Sequence, residues 1–307
     1  MTLDTRVNLI STDAIEIRAY EDLIARPNFV CDVNPTKVAL VRVLNEYHFG
    51  DSVRCGLTSC HQPHHHGYLI ETDDGHETNI GNDCGRTHFG ENLVTQVRLH
   101  RGREELRQQQ ALLATTIARK PEILARIREL RERRNGADWL VRARRQLKDA
   151  VGTAVIVELQ NRAKRGDLAV VEERQRSSQQ IADILAANPS LRRQEVEFEQ
   201  VTQGYLHDVG FINSYPELQL NDLQNKMHEL TSLDFSRLSV PKRLEWVKWI
   251  NGIDREFEEV EDKLAEAIRF IDPSNFNLLA YLPKRDAERR KAIARRDRRW
   301  RVPKLET

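Results

Sequence analysis

Long apolar runs are missing from this 307-residue chain. None approaches the roughly 20 residues that a bilayer-crossing helix needs, so no membrane partner is expected. Cysteine is scarce: four residues are too few to staple a chain of this length, and a disulfide framework is not expected. Aromatic residues reach only 6% and hydrophobic residues 39% while charged residues make up 31%, a balance that suits long amphipathic helices rather than a β-sandwich or a large enzyme core. Net charge is almost absent, +1 from 48 Lys+Arg and 47 Asp+Glu, which excludes both a polyanion mimic and a uniformly basic nucleic-acid binder. There is no Gly-rich phosphate loop, dinucleotide fingerprint or Gly-x-Ser-x-Gly elbow, so a nucleotide-driven enzyme is disfavoured. Met1 opens onto Thr2, Leu3 and Asp4 rather than a basic and then apolar leader, and the expected location is cytoplasmic.

What is present is distributed in blocks. Residues 1–90 carry 7 Lys/Arg and 13 Asp/Glu, residues 91–149 carry 15 and 8, residues 150–280 carry 15 and 22, and residues 281–307 carry 11 and 4. Blocks of alternating sign can dock on one another within the fold or on a second copy, and this must be weighed beside any nucleic-acid contact.

The cysteines are Cys31, Cys55, Cys60 and Cys84, and six of the ten histidines (His61, His64, His65, His66, His76 and His88) fall in or beside the window of the last three. Thiols clustered with imidazoles are what a metal site requires, and the reading is zinc on reduced thiols. Around them, Gly67–Thr72 reads as a strand closed by an Asp73-Asp74-Gly75 turn, with a second short strand near Glu77–Ile80. The ligand pattern is Cys55-x4-Cys60, then Cys84-x3-His88. Cys84 and His88, four apart, share one helix face, and Phe89 offers an apolar cap. Two ligands from a turn and two from a first helical turn, joined by a hairpin, resemble the treble-clef type of zinc finger over residues 55–89. The resemblance implies one zinc ion held by Cys55, Cys60, Cys84 and His88, with the other histidines competing for the fourth place. Closed sites of this kind mostly hold a fold together and do no chemistry.

A second reading starts from the His64-His65-His66 tract. Treble-clef scaffolds also occur in His-Asn-His nucleases, and Asn79-Ile80-x2-Asp83-Cys84-x3-His88 is similar to the helix entry of that family. The resemblance implies a histidine of the tract activating water, Asn79 orienting it and His88 binding a divalent metal. No Asp immediately precedes the tract, and His88 cannot serve a structural and a catalytic ion together.

The rest reads as helix. Lys37–Tyr47 carries Val38, Val41, Leu44 and Tyr47 at helical spacing, with a buried strand over Val38–Leu44 as the alternative; Thr12-Asp13 offers a cap for a short helix over residues 14–19, where the Ile15-Glu16-Ile17 alternation suits a strand equally well. Leu99, Leu106 and Leu113 fall seven apart and suggest a coiled-coil-like helix over 91–119, and Pro121 opens a fresh helix ending at Asn135-Gly136. Further helices are expected at 138–163, 167–187, 191–208, 217–231, 241–271 and 284–299, the most regular being 241–271. Trp246 and Trp249 in that helix read as packing residues.

Two basic segments remain. Lys284–Lys304 holds eight arginines and three lysines around Trp300, and Arg289, Arg290, Lys291, Arg295, Arg296, Arg298, Arg299, Trp300 and Arg301 are candidates for phosphate contact with base stacking. Arg131, Arg133 and Arg134 flank the Asn135-Gly136 turn and offer a second contact surface, or an ordinary charged helix end. The expected molecule is mainly α: a small α/β treble-clef zinc module over 1–90, a helical, coiled-coil-like hairpin or bundle over 91–283, and a basic segment over 284–307. The expected function is non-enzymatic, zinc-dependent docking of nucleic acid, of a protein partner or second copy, or of both. The alternatives are the nuclease and a protein–protein adaptor.

Overall fold

The computed structural model describes residues 16–271 and 273–282. The proposed cap at Thr12-Asp13, the helix at 284–299 and the whole basic segment from Lys284 onward lie outside the described residues. The chain divides into two compact units after Ala111. Residue 90, expected as the first boundary, marks a kink instead. Residues 91–111 belong with the first unit because Leu93 enters its core, Asn92 Nδ2 donates to Leu40 O at 2.9 Å and Arg101 pairs with Glu46 at 2.8 Å.

The first unit starts with α1, Tyr20–Ile24, followed by an antiparallel sheet in the order β1 (Leu40–Arg54), β2 (Pro63–Thr72) and β3 (Glu77–Gly81). Of the two readings of residues 37–47, helix or buried strand, the strand is present, from Leu40 on. Val43 pairs with Ile70 and is fully buried while Val41, two residues away, faces solvent, because bulges between Leu40 and Arg42 and between Val43 and Asn45 shift the pairing register and leave a burial spacing that resembles a helix. The expected hairpin is present, with Gly75 N donating to Thr72 O at 2.9 Å and Gly75 at φ 83°. Both faces of β2 are covered. Tyr68 and Ile70 join one core with Val43, Leu57, Ile80 and Leu93, and Leu69 joins another with Leu23, Tyr47, Phe49 and Val53, which explains the unbroken apolar run Tyr-Leu-Ile.

Helix α2, Asn82–Ala118, begins directly after β3 and breaks at Gly90, whose φ of 52° and ψ of −130° are open to glycine and costly for other residues. The seven-residue seam is displaced in its first part. Leu99 is half exposed, while Leu93 and His100 are buried, because the sheet rather than a partner helix covers this stretch.

The second unit is helical: α3 (Lys120–Glu132), α4 (Ala137–Val151), α5 (Thr153–Arg165), α6 (Ser178–Ala187), α7 (Arg193–Val196), α8 (Pro216–Ser232), α9 (Val240–Phe270) and α10 (Pro273–Leu279). Its core gathers Ile127, Leu140, Leu223, Met227, Val260 and Leu264 from α3, α4, α8 and α9. Three expectations fail here. The helix expected over 138–163 is two, parted at Gly152 with φ 84°. The helices expected over 167–187 and 191–208 contain strands β4 (Ala169–Gln175) and β5 (Phe198–Tyr205), which pair antiparallel; Gly166 in the left-handed region ends α5, and Ser177 caps α6 through Gln180 N. Helices expected at 217–231 and 241–271 are present, and Pro121 lies in the first turn of α3.

The charge blocks dock on one another. Arg119 reaches Asp254 at 3.2 Å, Arg126 reaches Glu261, and Arg133 lies 3.6 Å from Glu129 and 3.8 Å from Glu261, so arginines of α3 and its end meet the acidic side of α9. Trp246 and Trp249 meet edge to face at 5.4 Å against the core, as packing residues. No helix among the described residues is long and apolar enough to cross a membrane.

Candidate metal centre

The turn between β1 and β2 carries two of the sulfurs. Cys55 N donates to Gln62 O at 3.1 Å and Cys60 N to Leu57 O at 3.1 Å, closing the loop into a knuckle. The knuckle is held from both sides: Gly56 N donates to Asn79 O at 2.8 Å on β3, and Val33 N donates to Gly56 O at 2.9 Å. Gly56 must be glycine for the first of these, since a methyl group there would sit 2.2 Å from Thr78 Oγ1 and 3.1 Å from the Asn79 carbonyl. The first turn of α2 supplies Cys84.

The result is one cluster in which the sulfurs of Cys55, Cys60 and Cys84 all lie within 4.8 Å of one another, with Cys60 Sγ and Cys84 Sγ 2.6 Å apart. Cys55 is 1% exposed. Backbone amides of Leu57 and Gly81 donate to its sulfur, and Gln62 N lies 3.5 Å from that of Cys60. Burial pushes the Cys55 thiol up, and burial together with the Cys60 sulfur pushes Cys84 to about 12. Burial also opposes ionisation of Cys60, yet the hydrogen bonds from Cys84 and Gln62 hold it below its ordinary value. Three thiolates this close repel one another unless a cation sits among them. Three close cysteines with amides aimed at their sulfurs can hold a metal ion, and an all-sulfur set suits a soft or borderline cation rather than calcium or magnesium.

The histidines are placed otherwise than the sequence suggests. His88 is outside the set: its exposed ring hydrogen-bonds Ser59 Oγ through Nε2 at 3.2 Å, beside Cys60. His61 lies between Cys55 O, 3.3 Å from Nδ1, and Asp32 Oδ1, 3.2 Å from Nε2. His66 pairs with Glu46 at 2.8 Å, and His76 with Asp74 at 2.9 Å. Cys31 is exposed near the Tyr20 hydroxyl and does not join the cluster. Phe89 packs on the core that contains Cys55 and Leu57, as expected of a cap.

Two residues singled out for water activation hold structure. Asn79 is fully buried, and its amide donates to Arg54 O at 2.8 Å, fixing the backbone one residue before Cys55. His64 stacks over Gly81 and meets the Tyr47 hydroxyl at 2.7 Å through Nε2. Burial pushes its pKa down, which favours the neutral ring.

The basic turn is also largely occupied from within. Arg131 bonds Asn221 Oδ1 and lies 3.8 Å from Asp138, Arg133 is shared between two carboxylates, and Arg134 alone of the three is exposed with no partner among the described residues. Another cationic face, formed by Arg86, Arg98 and Arg101 on α2, carries no sequence signal: helix periodicity aligns Arg98 with Arg101, and Arg86 comes from beyond the kink at Gly90. Arg86 stands two residues from Cys84, which in a helix is about 200° around the axis, so sulfur and guanidinium lie on opposite sides of one turn. No protein family, no curated protein and no solved structure matches this chain.

His100 gives a pH prediction. It is 6% exposed, and burial pushes its pKa below the ordinary 6.5. The unfolded chain therefore takes up a proton that the folded chain resists, and stability falls as pH drops from 6.5 toward the folded-state value. Denaturant midpoints of metal-loaded protein at pH 7.5 and pH 6.0 should differ less for His100→Gln than for the parent chain. Equal differences would refute the assignment.

Proposed function

We propose that the chain is a non-enzymatic, zinc-dependent binding protein whose amino-terminal unit is a treble-clef module docking nucleic acid. The observation that carries this reading is the three-sulfur cluster at the meeting point of knuckle, hairpin and helix start. Zinc fits its donor chemistry, and His88, four residues after Cys84, completes the set by giving up Ser59. The ion would close the knuckle onto α2, a structural task. The nucleic-acid part rests on Arg86 and Arg98 on the module, which pair with no carboxylate among the described residues, and on the sequence of the Lys284–Lys304 segment, which lies outside them. Arg131 and Arg133 are assigned to internal pairing with Asn221, Asp138, Glu129 and Glu261. A nuclease reading gains nothing from a buried Asn79 and a His64 tied to Tyr47.

The test is retention of the zinc-loaded chain on immobilised single-stranded DNA and RNA across a salt gradient. Retention at low salt, weakened by Arg295→Ala, Arg296→Ala, Arg298→Ala and Arg299→Ala together, is expected, with log affinity falling linearly in log salt. Absence of retention at low salt would replace this reading with a protein–protein adaptor.

A further inference from the structure

A cavity of about 490 Å³ opens on the first unit between β2 and α2. Leu93, Val94 and Val97 form its apolar wall, Tyr68 and Asn82 close one side, and Arg86, Arg98, Arg101 and Glu105 supply its charge. Val94, Arg98, Arg101 and Glu105 follow one another at steps of four, three and four residues, so they lie on one face of the helix. Arg86 comes from the other side of the Gly90 kink.

The charges are not equivalent. Arg101 is gripped by Glu46, with Nη2 2.8 Å from Oε1 and Nε 3.1 Å from Oε2. Arg86 and Arg98 are exposed and pair with no carboxylate among the described residues. Two free guanidiniums beside an apolar wall ask for a ligand with an anion at one end and a flat or apolar body next to it. The volume is far more than a bare inorganic anion fills. Glu105 gives the other end its character: one oxygen accepts from Gln109 Nε2 at 3.0 Å, and the carboxylate remains an acceptor for an amino group. Arg98 and Glu105, seven residues apart, are separated by about 10.5 Å along the helix axis, the scale of a phosphate and the amino edge of a base within one nucleotide. The Tyr68 hydroxyl makes no hydrogen bond to another described residue and can meet a sugar or phosphate oxygen.

We infer that this cavity binds one nucleotide unit, phosphate on Arg86 and Arg98 and an amino-bearing base against Val94 and Val97. The inference deepens the nucleic-acid reading by giving it a site on the module, and the unit can be free or part of a strand. It needs only the α2 arginines, whereas that reading draws on the carboxy-terminal ones as well.

Calorimetric titration of the zinc-loaded full chain with AMP, adenosine, inorganic phosphate and an oligo(dA) 12-mer tests it. AMP is expected to bind at least tenfold more tightly than adenosine or phosphate. The Arg86→Ala/Arg98→Ala double variant is expected to weaken AMP by roughly a hundredfold, about tenfold for each charge-assisted contact. Both arginines are exposed, so unchanged zinc content and circular dichroism should accompany the loss. Val94→Trp fills the cavity without removing charge and should also block AMP. If only the 12-mer binds, and the double variant and Val94→Trp both weaken it, the site stands with the strand as its source. If the 12-mer binds all variants equally and AMP binds none, the cavity assignment falls while nucleic-acid docking survives. If AMP binds as expected but no strand is retained, the cavity stands and the docking reading falls. Phosphate binding as tightly as AMP, or no binding of any probe, overturns the inference.

Discussion

Purified parent chain is expected to carry one zinc ion and Cys84→Ser none, and the variant's first unit should be unfolded while the second remains helical. The asymmetry follows from where the stabilisation lies. The first unit is organised around two small cores on either face of a three-stranded sheet, and the knuckle between β1 and β2 reaches α2 through its sulfurs. A structural zinc in such a setting contributes on the order of 10 to 16 kcal/mol, comparable with the whole stability of a small domain. Serine offers a poor ligand in place of the thiolate and leaves the others mutually repelling. The second unit has its own core, from Ile123 to Leu282. Elemental analysis with limited proteolysis reads both halves: cleavage should concentrate before Ala111 and spare the remainder. Retention of one zinc per chain by Cys84→Ser would remove the metal centre from the account.

The second large effect is expected at Arg144. Its guanidinium is 15% exposed, pairs with Glu217 (17% exposed) at 2.8 Å, bonds the Ser214 carbonyl and lies over the Tyr215 ring at 4.6 Å. Removing it by Arg144→Ala strands a largely buried carboxylate, and the cost of breaking such a pair is about 3 to 5 kcal/mol. Arg134→Ala, at an exposed position without a partner among the described residues, should stay within about 0.5 kcal/mol of the parent. Denaturant unfolding followed by circular dichroism compares the two. Equal effects would mean that the basic run from Arg126 to Arg145 is solvated surface throughout and that Arg144 holds nothing.

The hairpin, the turn at Gly75, the long helices α8 and α9 and the clustering of three cysteines were all legible in the sequence, because each rests on local chemistry: period-two or period-3.6 burial, turn residues, or a dense set of donors. What escaped was set by partners distant in sequence. Val38, Val41, Leu44 and Tyr47 have helical spacing, which left helix and strand both open there, and pairing with β2 decides for strand. Strands β4 and β5 pair across the 22 residues of 176–197 and bury little of their length, so neither shows the apolar run that announces a strand. The fate of the arginines was the least legible. Arg126 and Arg133 belong to α9 carboxylates far along the chain, and nothing in a local count of charge separates them from Arg134 or Arg98. At the metal centre the thiols were readable from spacing, but the amides of Leu57 and Gly81 and the Asn79 clamp belong to backbone geometry, which spacing does not encode.

With an ion on the sulfurs and a nucleotide in the cavity, as proposed, the single turn that bears Cys84 on one side and Arg86 on the other would make the two thermodynamic neighbours. An ion that steadies this turn also steadies one wall of the cavity, and by reciprocity a ligand in the cavity would tighten the grip on the ion by the same factor. A chain built this way would release its cargo when stripped of zinc, and hold zinc most firmly while loaded.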